Sequence, residues 1–244
     1  MVEIKGLLDC SFVDWKGRLC AVLFLGGCNF RCPFCHNRDL VINSNGMPSI
    51  PVIDAISRLE RLRPWIDAVC VTGGEPTANP GLAVFLRTLK DTGLEVKLDT
   101  NGYLPEMLEK ILKMGLVDYV SMDVKTGLEE SHYSECVGVR VDIGRIKRSI
   151  GLIKASSISH EFRMTVLPRF HTKETMSIWA DELKGGGSLL TFQRFSPVNT
   201  LDPDFQSEQA FSEAEFEGFT SLIFSQEPRP SGPLRSFSCV HSSV

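Results

Sequence analysis

Residues 26–37 read GGCNFRCPFCHN, which places Cys28, Cys32 and Cys35 within eight positions and His36 directly behind the last thiol. Thiols crowded in this way serve redox or metal chemistry, because a thiolate is both a nucleophile and a soft ligand. Three readings fit the letters. CPFCH has the C-x-x-C-H form of a haem attachment point, which requires export to an oxidising compartment. Cys28, Cys32, Cys35 and His36 could offer zinc four ligands, but all from one loop, two of them adjacent, with no second Cys/His pair at a useful spacing. Three thiolates in C-x3-C-x2-C could instead hold three corners of a [4Fe–4S] cube and leave its fourth iron open to substrate. Asn29 and Phe34, lying between the thiols, would then shield the cluster and tune its potential.

Further signatures follow. GGEP (Gly73, Gly74, Glu75, Pro76) is a glycine turn carrying an acid, and DTNG (Asp99, Thr100, Asn101, Gly102) has the composition of a tight turn. DVK supplies Asp123 and Lys125, and Arg163 lies within the apolar run FRMTVL, where a guanidinium needs an anionic partner. Each alone has an ordinary explanation in turns and solvated side chains. Their placement is the stronger signal. CNFRCPFC, GGEP, DTNG and DVK each fall just past the C-terminal end of an expected strand, the edge at which parallel α/β folds build their sites.

The strands expected to carry them are residues 19–25, 68–72, 95–99, 119–122, 162–167 and 189–195, each short and apolar or β-branched. Helical periodicity occupies residues 53–62, 81–93, 105–114, 143–154 and 174–184, with a terminal helix over 206–224. Six strands alternating with helices predict an α/β fold with a parallel sheet and right-handed crossovers. Six units rather than eight point to an open or partial (β/α) barrel, although periodicity does not distinguish this from a flat doubly wound sheet. Residues 1–226 are expected to form a single domain. Residues 227–244, rich in Ser and Pro, are expected to be loosely ordered.

The composition of the 244 residues, 43% hydrophobic and 23% charged, is that of an ordinary soluble globular protein. A net charge of -4 without a basic run gives no nucleic-acid footprint. The N-terminal sequence does not read as a signal peptide, and no apolar run is long enough for a membrane span, so a cytoplasmic setting is expected. Eight cysteines in such a chain do not read as a disulfide framework. Cys10, Cys20, Cys70, Cys136 and Cys239 are scattered and read as ordinary thiols.

CNFRCPFC resembles the C-x3-C-x-aromatic-C signature of radical S-adenosylmethionine (SAM) enzymes. The longer stretch FVDWKGRLCAVLFLGGCNFRCPFCHN is similar to the glycyl-radical-enzyme activating enzymes, in particular the short activators of anaerobic ribonucleoside-triphosphate reductase. The likeness runs from about Glu3 to Pro203 with the motifs in the same order. It implies a partial (β/α)6 TIM-like barrel of the radical SAM type. It also implies a [4Fe–4S] cluster on Cys28, Cys32 and Cys35, with Phe34 beside it. Gly73, Gly74 and Glu75 would take the SAM amino group, and Lys125 and Arg163 its carboxylate. Asp99, Thr100 and Asn101 would lie near the adenosyl ribose, and Asp99, Thr100 and Asp123 match positions that hold a monovalent cation in pyruvate formate-lyase activating enzyme. No catalytic residue is implied beyond the cluster and SAM. The implied partners are a glycyl radical enzyme, anaerobic ribonucleoside-triphosphate reductase in particular, and flavodoxin or ferredoxin as electron donor, with neither nucleic acid nor membrane.

His36 follows the cluster in many relatives and is expected to pack or hydrogen-bond rather than ligate. His132, His160, His171 and His241 form no recognisable constellation. The chain departs from the family pattern at Lys16, where relatives carry Pro, and at Cys10, where Thr is common. Phe195 to Pro197 stand where the formate-lyase activator has a histidine near SAM. No second cysteine-rich insert is present, which separates the chain from the two-cluster activators. Two rivals remain at this level: a radical SAM enzyme acting on a small molecule, as in 7-carboxy-7-deazaguanine synthase, and a non-enzymatic metal-binding module.

Overall fold

The computed structural model describes residues 2–224. The six expected strands are present as β2 (Cys20–Leu25), β3 (Ala68–Gly73), β4 (Glu95–Thr100), β5 (Tyr119–Asp123), β6 (Ser159–Val166) and β7 (Leu189–Arg194). Each pairs in parallel with the next. Ahead of them lies β1 (Ile4–Ser11), which the sequence reading did not anticipate, antiparallel to β2 at the edge. Its IKGLLDCS lacks clean alternation because the β1–β2 pairing shifts register between Ile4 and Gly6 and again between Leu8 and Ser11, which breaks the period of two. The order β1-β2-β3-β4-β5-β6-β7 is an open sheet.

Crossover helices cover the outer face: α2 (Val52–Leu62), α3 (Leu82–Asp91), α4 (Pro105–Lys113), α6 (Ile143–Ala155) and α7 (Lys173–Leu183). In α3 the buried Leu82, Ala83, Phe85, Leu86 and Leu89 form one apolar stripe. Two further helices, α1 (Arg38–Ile42) and α5 (Glu130–Val137), escaped the periodicity because they are short. Tertiary contacts hold them where isolated helices of this length would not form. The terminal helix expected from residue 206 begins only at α8 (Glu213–Phe224). Pro203–Ser207 is instead a separate 3-10 turn, capped by the Asp202 side chain. The tail expected over 227–244 lies outside the described residues.

Alternation along the strands divides the side chains between two environments. Ala21, Leu23 and Leu25 of β2, Val69 and Val71 of β3, Val96 and Leu98 of β4, Val120 and Met122 of β5, and Phe162 and Met164 of β6 join the main core under the helices. The opposite face is unlike it. On β2 and β3 it carries Cys20, Val22, Ala68 and Cys70, which pack with Trp15. On β4 to β6 it carries Lys97, Asp99, Ser121, Asp123, Glu161 and Arg163, which bond to one another across the strands. Lys97 on β4 lies 3.9 Å from Glu161 on β6 although β5 runs between them, so the sheet is curled around this face as a partial barrel.

Candidate active site

The three thiols lie in the loop between β2 and α1. Two aromatic rings fix this loop from below: Phe30 packs 5.4 Å from Tyr103 and 6.4 Å from Tyr133, and the buried Phe34 lies 6.0 Å from Phe170. Phe34 therefore anchors the loop in the core. The Cys35 amide donates to the Cys32 carbonyl at 3.1 Å, closing the turn of CPFC, and Arg31 Nη1 donates to the Cys28 and Phe30 carbonyls. His36 Nε2 lies 2.7 Å from the Ser196 carbonyl, and its ring stacks on Phe195. His36 thus latches the cluster loop to the segment leaving β7, as expected of a residue that packs rather than ligates. The Asp202 amide, donating to the Pro33 carbonyl at 2.9 Å, makes a second latch.

The surroundings of the thiols fit a [4Fe–4S] cluster better than a single ion. A [4Fe–4S] cube would take one thiolate per iron, so three thiols of a single loop suffice to hold it, whereas a single zinc ion needs a fourth ligand. Next to Cys28, the Asn29 Nδ2 is a buried donor without a partner, which suits a neighbour rich in acceptor sulfur. Burial pushes the Cys28 and Cys32 thiols up to about 12 and raises Cys35 as well, and the Lys125 ammonium opposes this at all three. Cluster assembly therefore has to expel protons from buried thiols, with Lys125 as the cation that favours the thiolates.

Three loops are tied into a closed triangle. Gly73 ends β3 at φ +122, where a Cβ would stand 2.4 Å from the Leu25 carbonyl oxygen, and a Cβ on Gly74 would stand 1.9 Å from that of Gly27. Only glycine lets GGEP lie this close to the cluster loop. The Glu75 amide then donates to the Gly27 carbonyl at 2.7 Å, and Asn37 Nδ2 to the Gly73 carbonyl at 2.8 Å. The Glu75 carboxylate is buried. Its Oε1 accepts from the Thr77 amide and hydroxyl and from the Thr100 hydroxyl at 2.7 Å, while Oε2 accepts from the Asn101 amide at 2.6 Å. Asn101 Nδ2 closes the triangle by donating to Asn29 Oδ1 at 2.8 Å. Glu75 is thus the clamp between GGEP and DTNG, and the glycine backbone is the part of GGEP that faces the cluster loop.

Below this rim lies the charged face of the barrel. Arg163 Nε lies 2.9 Å from Asp123 Oδ1 and its Nη2 3.3 Å from Asp99 Oδ2. Lys125 Nζ lies 2.9 Å from Asp123 Oδ2, and Lys97 Nζ lies 3.0 Å from Asp99 Oδ1. Burial works against the Asp99 and Asp123 carboxylates, but Arg163, with Lys97 at the first and Lys125 at the second, outweighs it and holds both below the usual range. Burial likewise disfavours the Lys97 and Lys125 ammonium groups, yet the facing carboxylates keep both firmly protonated. The partner that Arg163 needed is therefore a pair of aspartates. The face is charge-balanced without a monovalent cation: each oxygen of Asp99 and Asp123 lies beside Lys97, Lys125 or Arg163, Asp99 Oδ1 in an ion pair with Lys97 but in no hydrogen bond, and the Thr100 hydroxyl is turned to Glu75.

Lys97, Glu161 and His171 were not singled out by sequence reasoning. His171 is buried; the Leu167 amide donates to its Nδ1, which leaves Nε2–H to donate to the Lys125 carbonyl at 2.8 Å. The Tyr133 hydroxyl accepts from the Lys125 amide at 3.2 Å, so the backbone carrying Lys125 is held on both sides. The alternation in EVKLDT and HEFRMT contained the signal for Lys97 and Glu161: polar residues at period two mark a polar strand face. Nothing in the sequence marks His171, because its partner is 46 positions away.

Comparison with known proteins agrees with this arrangement. The profile of the Radical SAM superfamily matches residues 22–178, from β2 into α7, and so covers every motif of the rim. Over 209 residues the chain is 34% identical to a candidate glycyl-radical enzyme activating enzyme of Methanocaldococcus jannaschii, covering 83% of this chain and 84% of that protein. It is 32% identical over 130 residues to the pyruvate formate-lyase-activating enzyme of Clostridium pasteurianum, covering 51% of this chain and 53% of that protein. Among solved structures, Streptococcus suis SuiB bound to S-adenosylmethionine shares the fold at a TM-score of 0.65 and 17% identity, over 82% of this chain and 46% of that one. The chain spans about half the length of these last two proteins. It belongs to the Radical SAM superfamily, enzymes that use a [4Fe–4S] cluster and SAM. Within that class it belongs with the glycyl-radical-enzyme activating enzymes.

Proposed function

We propose that this enzyme installs a glycyl radical on anaerobic ribonucleoside-triphosphate reductase, with flavodoxin or ferredoxin as electron donor in a cytoplasmic setting. The observation that carries the activating role is the 34% identity to the methanogen protein over most of both chains. The GGCNFRCPFCHN context and the upstream WKG segment, which resemble the reductase activators, support the reductase as partner.

The chain's own residues account for binding and orientation. Cys28, Cys32 and Cys35 would hold the cluster, and three thiolate ligands would leave one iron for SAM. The GGEP backbone, pinned by Glu75 and the two glycines, would offer the SAM ammonium the Gly74 carbonyl, since those of Gly73, Glu75 and Pro76 already accept from Asn37, Ala78 and Asn79. Lys125 and Arg163 are the cations available to its carboxylate, and Asn101 fixes the DTNG turn beside the adenosyl group. When bound, the cluster and SAM would supply the one-electron radical chemistry that removes a hydrogen atom from the Cα of the target glycine, the electron coming from the flavodoxin or ferredoxin. Among the described residues the sheet stays open, with β1 and β7 at its edges and only an isolated bridge from Ile4 to Ile50 beyond them, which would leave a lateral entrance for a loop of a protein substrate.

The test is anaerobic reconstitution with iron and sulfide, then dithionite and SAM, with 5′-deoxyadenosine measured. A loaded cluster that yields none defeats the radical SAM assignment. A doublet glycyl-radical EPR signal is expected on mixing with the anaerobic reductase of the same host. Its absence alongside 5′-deoxyadenosine formation would move the substrate to another glycyl radical enzyme or to a small molecule. Replacing any one of Cys28, Cys32 or Cys35 by Ala should abolish the product, while Cys239→Ala should leave it intact.

A further inference from the structure

The charged face of the barrel has more cations than binding the SAM carboxylate requires. Lys125 and Arg163 stand near the rim, with side chains 15% and 14% exposed. Lys97 is deeper, 2% exposed, and reached from the far side by the Asp14 carbonyl, which accepts from its Nζ. Its ammonium lies 3.0 Å from Asp99 Oδ1 and 3.9 Å from Glu161, whose own oxygens accept from the Ser121 and Thr191 hydroxyls. Within this face Lys97, Lys125 and Arg163 balance Asp99, Asp123 and Glu161, three against three. Before SAM binds, an added monovalent ion would bring an uncompensated charge into this buried face. When an incoming carboxylate draws Lys125 and Arg163 towards itself, Asp99 still keeps Lys97, because that ammonium is too deep to follow.

We propose that the ε-ammonium of Lys97 is the built-in counter-ion of Asp99, standing in for the monovalent cation that the family likeness implies there, so that SAM binds without sodium or potassium. The inference rests on SAM binding at this rim and is independent of which glycine is the target. Lys97 is a positioning residue. It keeps Asp99 charged and fixed so that Asp99 can orient Arg163.

The experiment is equilibrium binding of SAM to the cluster-loaded enzyme under anaerobic conditions. Tetramethylammonium is the only added cation at first, then sodium or potassium replaces it at constant ionic strength. For the wild type the Kd should stay within about twofold across the three media, whereas binding tightened roughly tenfold by either metal ion would overturn the proposal. Lys97→Met should weaken SAM binding about tenfold in tetramethylammonium and regain it in sodium or potassium. A Lys97→Met enzyme that binds as the wild type does in tetramethylammonium, or that neither ion restores, would equally overturn it. Lys97→Arg, which keeps the charge, should remain indifferent to the ions; should Lys97→Met fail to fold, this variant and the wild-type titration decide. No SAM binding in any medium would remove the cofactor reading and the counter-ion with it, whereas a missing glycyl radical would leave both standing.

Discussion

Glu75 shows why one side chain can matter to a site without touching the reacting atoms. Both of its oxygens are taken by donors from two loops, so Glu75→Gln places an amide N–H where only acceptors are wanted. Leaving buried donors unpaired costs about 1–3 kcal/mol, and urea unfolding of the cluster-free protein should show a loss of that size. His171 gives a pH signature. Burial lowers its pKa from 6.5 to about 4, so the folded protein keeps it neutral while the unfolded chain takes up a proton below pH 6.5. Its contribution is therefore fully present above pH 6.5 and is lost as the pH falls towards 4, to a total of about 3 kcal/mol. Unfolding midpoints across this window should fall more steeply for the wild type than for His171→Gln, which has no group to titrate. Equal slopes would show that the imidazole is not held neutral.

Among the elements, the exits of β2 and β3 carry the tightest geometric demand. Gly74 is where β3 leaves the sheet, and its backbone lies against that of Gly27, so any side chain must push the two loops apart. Gly74→Ala should cost about 1–3 kcal/mol through overpacking and should lower the iron and sulfide bound per chain. Normal iron loading in a folded Gly74→Ala protein would mean that the two loops move independently. β4 and β6 make a different point. Residues 95–99 and 162–167 read as strands, and strands lie there, β6 starting three residues earlier, but the alternation of EVKLDT and HEFRMT also specifies that one face is charged. A hydropathy average treats both faces together and hides this. β1 and the short helices α1 and α5 had no such pattern, because bulged pairing and tertiary contacts shape them rather than local periodicity.

At the scale of the whole molecule, the triangle of loops links cofactor loading to stability. Asn29 reaches Asn101, Asn101 reaches Glu75, and the Glu75 amide returns to Gly27, so order imposed on the cysteines spreads to the whole rim. Removing the cluster with a chelator should lower the Tm by several degrees, since for a chain of this size each kcal/mol is worth about 2–4 °C. Amide exchange should rise in GGEP and DTNG together with the cluster loop. Faster exchange confined to residues 28–35 would show that the triangle does not transmit order. No described helix is long and apolar enough to cross a membrane, which agrees with the composition.

The sequence by itself carried the family likeness that implies the cofactor chemistry, and the frame that holds it. Three thiolates at C-x3-C-x2-C, apolar runs alternating with helices, and four polar motifs at strand ends are local facts, legible because strand and turn propensities act over a few residues. Only the tertiary structure decided how those motifs are used. Whether Glu75 holds a ligand or another loop, whether Asp99 and Asp123 await a metal ion or are already neutralised, and whether His171 has any role at all depend on contacts between residues 25 to 64 positions apart. Such contacts leave no periodic trace in the chain. They exist because a curled parallel sheet brings the same end of every strand to one rim, where buried charge must find its counter-charge nearby or not be buried.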